Sequence, residues 1–178
     1  GGTAANGFLS RNVFAQPRGD GRLGGKRRKG RERTIAPVNR PAVGALHLAL
    51  SSACRRSGRY RVWLSPADIS WGPDTLVQPD VFVVPAAESD TMDWTRMRTL
   101  VLVAEVLSPS TARQDREQKR RLYQAQGVRT LWLVDPAARR VEVWTPEAHF
   151  PVVETERVTW DAGDGAEPVV ITISELFG

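Results

Sequence analysis

The stretch Leu100 to Ser110, LVLVAEVLSPS, constrains the fold more than any other part of the chain. Leu100, Leu102, Ala104 and Val106 alternate onto one face, and Val101, Val103, Glu105 and Leu107 onto the other. Both faces are apolar, which is the pattern of a central strand covered on two sides rather than a strand with one wet face. Glu105 breaks the pattern. A buried carboxylate without compensation costs several kcal/mol, so it must be protonated, paired or bound to a cation. It stands near the end of the strand, just before the turn Ser108-Pro109-Ser110-Thr111, where α/β proteins often carry chemistry. A structural ion pair, or a carboxylate at the wet end of the strand, is the plainer alternative.

The rest of the chain is read around that strand. Pro41 to Ser57 predicts a helix: Pro41 suits a first turn, and Val43, Leu46, His47, Leu50 and Cys54 recur at three- and four-residue steps. Arg55 and Arg56 suit its C-terminal end, and Gly58 ends it. Tyr60 to Leu64 and Ala67 to Trp71 are predicted strands, the second closed by Gly72-Pro73-Asp74. A third covers Leu76 to Val84; Pro79 cannot donate to a ladder, so this strand is kinked or begins at Asp80. Val81 to Val84 is apolar on both faces, so Asp80, like Glu105, stands at the end of a buried strand. Pro85 to Thr99 reads as a polar loop with a short turn around Asp93-Trp94.

After the central strand, Thr111 to Gln126 predicts a helix capped by Ser110 or Thr111 and stopped by Gly127. Asp115, Lys119 and Tyr123 are four residues apart and share one face. Arg116, Arg120 and Arg121 are expected elsewhere around the helix. Thr130 to Val134 and Val141 to Trp144 predict a hairpin across Asp135-Pro136-Ala137-Ala138. Arg157 to Trp160 and Val169 to Ile173 read as edge strands around the turn Asp161 to Gly165, and Ser174 to Phe177 as a short terminal helix. Residues 1–36 show neither helical nor strand periodicity. Gly and Arg dominate there, so the expectation is a disordered or loosely attached basic segment ahead of one domain over 37–178.

Composition sets limits on function. Residues 1 to 61 carry 14 Lys and Arg against two acids, whereas residues 62 to 178 carry 11 against 18, within an overall net charge of +5. A basic segment joined to an acidic body can be a nucleic-acid arm or a solvated tail. The single cysteine, Cys54, excludes an internal disulfide and no ligand cluster surrounds it. No apolar run reaches the ~20 residues of a membrane span, and the N-terminus lacks a signal-peptide pattern. The expected location is the cytoplasm, with no membrane partner. The six tryptophans lie on strands and loops, where packing is a commoner role than base stacking.

Asp80, Glu105 and Lys119 then form one candidate constellation. Two carboxylates on adjacent strands can hold Mg²⁺, which takes oxygen ligands and needs only one or two protein carboxylates; Mn²⁺ is a possible substitute. Such an ion lowers the pKa of bound water and stabilises charge on a phosphate, and a lysine adds a second positive charge. These are the groups that phosphodiester hydrolysis needs.

The runs SPADISWGPDTLVQPDVFVV (residues 65 to 84) and AEVLSPSTARQDREQKRRLYQAQGVRTLWLVDPAARRVEVW (residues 104 to 144) resemble the Uma-two family, restriction-endonuclease-like proteins of the PD-(D/E)XK nuclease superfamily. The likeness extends from about Val38 to the C-terminus. It rests on Pro79-Asp80, Glu105 ahead of Leu107-Ser108-Pro109-Ser110, Asp115, Lys119, Tyr123, and Trp132-Leu133-Val134-Asp135-Pro136. The resemblance implies an α/β, restriction-endonuclease-like core: a central mixed β-sheet flanked by helices. It implies Asp80 and Glu105 as metal ligands, with the Val106 main-chain carbonyl as a third, and DNA as substrate. It also implies a homodimer. Leu107 occupies the position where many superfamily members have their lysine, and Lys119 on the following helix substitutes. Asp115 is expected to hold Lys119 in place.

Residues Gly21 to Arg40 depart from the family. They lack its Tyr-Glu-Leu-x-Asp-Gly-type hairpin and its glutamate, and Asn39 stands where a histidine is expected. An out-of-frame or misassigned start would account for this; peptides from Gly7 to Arg28, recovered from protein made at the native locus, would refute it. The leading expectation is a Mg²⁺-dependent DNA endonuclease. The alternative is a catalytically degenerate nuclease fold that binds nucleic acid or a partner protein.

Overall fold

The computed structural model describes residues 39–73, 75–108, 112–163 and 165–177, with the side chains of 112–115 left out. Residues 1–36, the capping residues Ser110 and Thr111, and the side chain of Asp115 therefore lie outside the described part.

Helix α1 (Arg40–Ser57) turns Ala42, Val43, Leu46, Leu50 and Cys54 inward, as its three- and four-residue spacing requires. Gly58 closes it in the left-handed conformation, with its N–H donating to the Cys54 carbonyl. Six strands follow in one sheet: β1 (Tyr60–Leu64), β4 (Val81–Pro85), β5 (Leu102–Val106), β6 (Leu131–Asp135), β7 (Arg140–Trp144) and β8 (Val152–Glu154), side by side in that order. Only β5 and β6 are parallel; the other neighbours are antiparallel. The parallel pair is the one joined through a helix, α3 (Ala112–Ala125), as a parallel connection demands. The fold is thus a mixed sheet flanked by helices, as expected.

The alternation of β5 sorts the core into two layers. Leu102, Ala104 and Val106 join Trp132, Val134, Val141 and the inner face of α1. Val103 and Leu107 join Phe82, Val84, Leu131, Leu133, Trp144 and Tyr123 of α3 on the opposite face. Glu105 belongs by register to this second face, in line with Leu133 of β6 and Glu142 of β7.

Three expectations are corrected. The span Leu76 to Val84 is two strands: β3 (Thr75–Val77) pairs only with β2 (Ile69–Gly72), and β4 starts after Asp80. Pro79 separates them because it has no N–H for a ladder. The loop Pro85 to Thr99 contains the expected short turn, a 3₁₀ turn over Trp94–Arg96 capped by Asp93, but also an unexpected short helix α2 (Ala86–Ser89). Finally, β9 (Arg157–Trp160) and β10 (Val169–Thr172) pair with each other, as strands around the turn Asp161 to Gly165 would, but form a two-stranded sheet of their own and not an edge of the main sheet; the terminal helix α4 (Ile173–Phe177) follows. The edge is taken by β8, a three-residue strand too short to leave a periodic signal.

Candidate active site

Antiparallel pairing puts Val81 opposite Ala104 and Phe82 opposite Val103. The residue before β4 therefore lies beside the end of β5, which brings Asp80 to Glu105. Asp80 Oδ2 accepts from the Val106 N–H at 2.9 Å. Glu105 is only 1% exposed. Helix α3 crosses above it and supplies two donors: Lys119 Nζ to Oε2 at 2.7 Å, and the Tyr123 hydroxyl to Oε1 at 2.6 Å. Both oxygens of the buried carboxylate are thus engaged, which is how a charge is kept away from bulk water.

Electrostatics distinguish the two acids. Burial, and then the neighbouring Glu105 charge, push the Asp80 carboxyl up to about 7; Lys119 and the Val106 N–H pull the other way without cancelling the rise. At neutral pH Asp80 is close to half protonated. Tyr123 moves further from ionisation. Burial first, and then the Glu105 charge, raise its hydroxyl well above the ordinary tyrosine value, so it stays a neutral donor.

A second charged group anchors α3 to the sheet. Arg116 donates to Asp135 Oδ2 at 2.9 Å, and its Nε lies 3.3 Å from Glu142 Oε1, close enough for charge pairing though outside hydrogen-bond geometry. Glu142 is 5% exposed and also receives Arg140 at 3.3 Å and the Trp144 indole N–H at 3.4 Å. Arg116, Lys119 and Tyr123 are three and four residues apart and form one sheet-facing stripe. The expectation that Arg116 lies elsewhere around the helix is therefore wrong. Its partner Glu142 alternates with Val141 and Val143, which from sequence alone looks like a wet face.

Among the sequence-derived candidates, the structure brings Asp80, Glu105 and Lys119 together with the backbone of Val106. The Val106 carbonyl accepts from Asn39 Nδ2 at 3.1 Å. Tyr123, expected to share the Lys119 face, bonds Glu105 directly. Among the described residues there is no cluster of three or more His, Cys, Asp or Glu that could hold a metal. The two carboxylates and the adjacent carbonyl nevertheless form an all-oxygen donor set. It suits a hard divalent cation that keeps several waters.

Comparison with protein families matches residues 34–168 to Uma2, described as "Putative restriction endonuclease". The chain belongs to the Uma2 family. Among solved structures, a crystal structure of "a putative nuclease belonging to DUF820" from Anabaena variabilis has the same fold. The TM-score is 0.66 at 17% identity, covering 82% of this chain and 83% of that one. A comparison with curated proteins gave no match. The matched Uma2 region contains β1 to β8, α3 and every residue of the site just described.

Proposed function

We propose that this Uma2 protein is a divalent-cation-dependent DNA endonuclease, with Asp80, Glu105 and Lys119 as its catalytic residues. The observation that carries the reading is the charge balance of the site. Two carboxylates meet in a largely buried place, Lys119 bonds one of them, and Asp80 is left with a carboxyl raised to about 7. A group in that condition gains most from a cation, because the ion replaces its proton. Asp80 and Glu105 would hold Mg²⁺ or Mn²⁺, with the Val106 carbonyl as a third oxygen. When bound, the ion would lower the pKa of a water and offset negative charge on a phosphate.

The chain's own groups supply the rest. Tyr123 fixes the orientation of Glu105, and Arg116 ties α3 to β6 and β7 so that Lys119 keeps its position above the strand ends. Lys119, bonded to Glu105, can present positive charge to the attacking water or to the phosphate as negative charge develops.

Plasmid cleavage in Mg²⁺ and in Mn²⁺ tests the proposal, comparing wild type with Asp80→Ala, Glu105→Ala and Lys119→Ala. Nicking or linearisation by wild type that needs the cation and is lost in all three variants is the expected result. A well-folded wild type that binds DNA without cutting it would replace the enzyme with a nuclease-fold binding module.

A further inference from the structure

Among the described residues, one buried polar atom beside this site, Asn39 Oδ1, has no partner. Asn39 precedes α1, is 5% exposed, and gives its Nδ2 hydrogen to the Val106 carbonyl. The other half of the same amide, Oδ1, is buried and accepts no hydrogen bond. Helix capping does not explain it. An asparagine at this position ordinarily accepts from a first-turn N–H, and here there is no side-chain cap hydrogen bond. Nor does a flip of the amide, which would set oxygen against the Val106 carbonyl oxygen. A buried acceptor left in this state is destabilising until a donor reaches it.

Val106 connects this atom to the two acids. Its N–H binds Asp80 and its carbonyl binds Asn39, and it directly follows Glu105. Asn39 is thus joined through the Val106 backbone to Asp80 and to the adjoining Glu105.

We infer that Asn39 is a positioning residue of this cation site: Nδ2 fixes the Val106 carbonyl, and Oδ1 accepts a hydrogen bond from a water carried in by the cation. The inference rests on the proposed cation site and extends it to a residue outside the acid–lysine set. Groups that orient metal ligands typically change metal affinity about 10–100-fold when removed.

The test is calorimetric titration of Mn²⁺ into the full chain, with no nucleic acid present, for wild type, Asn39→Ala, Asn39→Gln and Glu105→Gln. The expected result is binding by wild type, a loss of about 10–100-fold in Asn39→Ala, a smaller loss in Asn39→Gln, which keeps both the amide donor and the acceptor oxygen, and abolition in Glu105→Gln. Metal-free melting curves identify any variant that fails to fold; if Asn39→Ala does, Asn39→Gln decides, and Mn²⁺ binding abolished there as fully as in Glu105→Gln overturns the inference. Unchanged Mn²⁺ affinity in a folded Asn39→Ala overturns the Asn39 role alone. It would assign Oδ1 to a structural water on the α1 face of the sheet, where the Trp132 indole N–H is another buried group without a partner. Absence of binding by wild type overturns the cation site and the Asn39 role together.

Discussion

The raised Asp80 carboxyl makes a quantitative demand on the cation-free protein. A shift from 3.8 to about 7 means that the folded state holds a proton that the unfolded state has released. Stability from this group is therefore fully present below the unfolded value, near pH 4, and is lost as pH rises through about 7. At 1.36 kcal/mol per unit the full loss is ~4 kcal/mol, with a steepest slope of about 1.4 kcal/mol per pH unit. Asp80→Asn removes the titration while keeping an oxygen that can accept from the Val106 N–H. Urea unfolding in chelator between pH 4.5 and 8.5 should show wild type losing stability relative to Asp80→Asn as pH rises, the difference levelling off above pH 7.5. Parallel curves for the two proteins would refute the argument, because they would mean that Asp80 titrates alike when folded and unfolded.

The same proton links pH to cation binding. Below pH 7 a divalent ion must displace it, so Mg²⁺ or Mn²⁺ affinity should rise with pH by up to about tenfold per unit and then flatten. Binding measured in buffers of different ionisation enthalpy should release close to one proton near pH 6 and much less at pH 8.5.

Three further outcomes follow from the packing around Glu105. Tyr123→Phe removes one donor from a buried carboxylate and should cost about 1.5–3 kcal/mol in urea unfolding; cleavage per folded molecule should fall, but by less than in Lys119→Ala. Arg116→Ala leaves Glu142 buried with Arg140 as its remaining basic partner, and should destabilise by roughly 3 kcal/mol, whereas Arg116→Ala combined with Glu142→Gln should recover part of the loss. Leu46→Ala, at a wholly buried position of α1 remote from α3, should cost about 2–5 kcal/mol yet leave cleavage per folded molecule unchanged.

Much of the fold was legible because its strands carry two-sided apolar patterns. Val81 to Val84 and Leu102 to Val106 are fully buried, as continuous apolar runs imply. Parallel pairing of β5 and β6 follows from a helix-length connection, and α1 announces itself by its stripe. What was not legible is short or depends on partners. β8 has three residues, and two of them, Val152 and Val153, are exposed, so no alternation distinguishes it from loop. That β9 and β10 form a separate two-stranded sheet and do not join an edge of the main one is a choice that local sequence does not make.

The site divides along the same physical line. Glu105 stood out because a carboxylate inside an apolar strand needs compensation, and Asp80 because it precedes a second such strand. The compensation itself was harder to read. On α3 the residues that face the sheet are charged or hydroxyl-bearing, so a hydrophobic stripe, the usual mark of a buried helix face, is missing where the helix matters most. Arg116, Lys119 and Tyr123 each find an acid across the interface, at Asp135 and Glu142 for the first and at Glu105 for the other two. A polar stripe opposite isolated acids on buried strands is thus a signal in its own right. Each side would be destabilising alone, and helix spacing can be matched against strand register to find the pairs. Asn39 shows where that matching ends, since its visible partner is a main-chain carbonyl and nothing about residue type along β5 could have pointed to it.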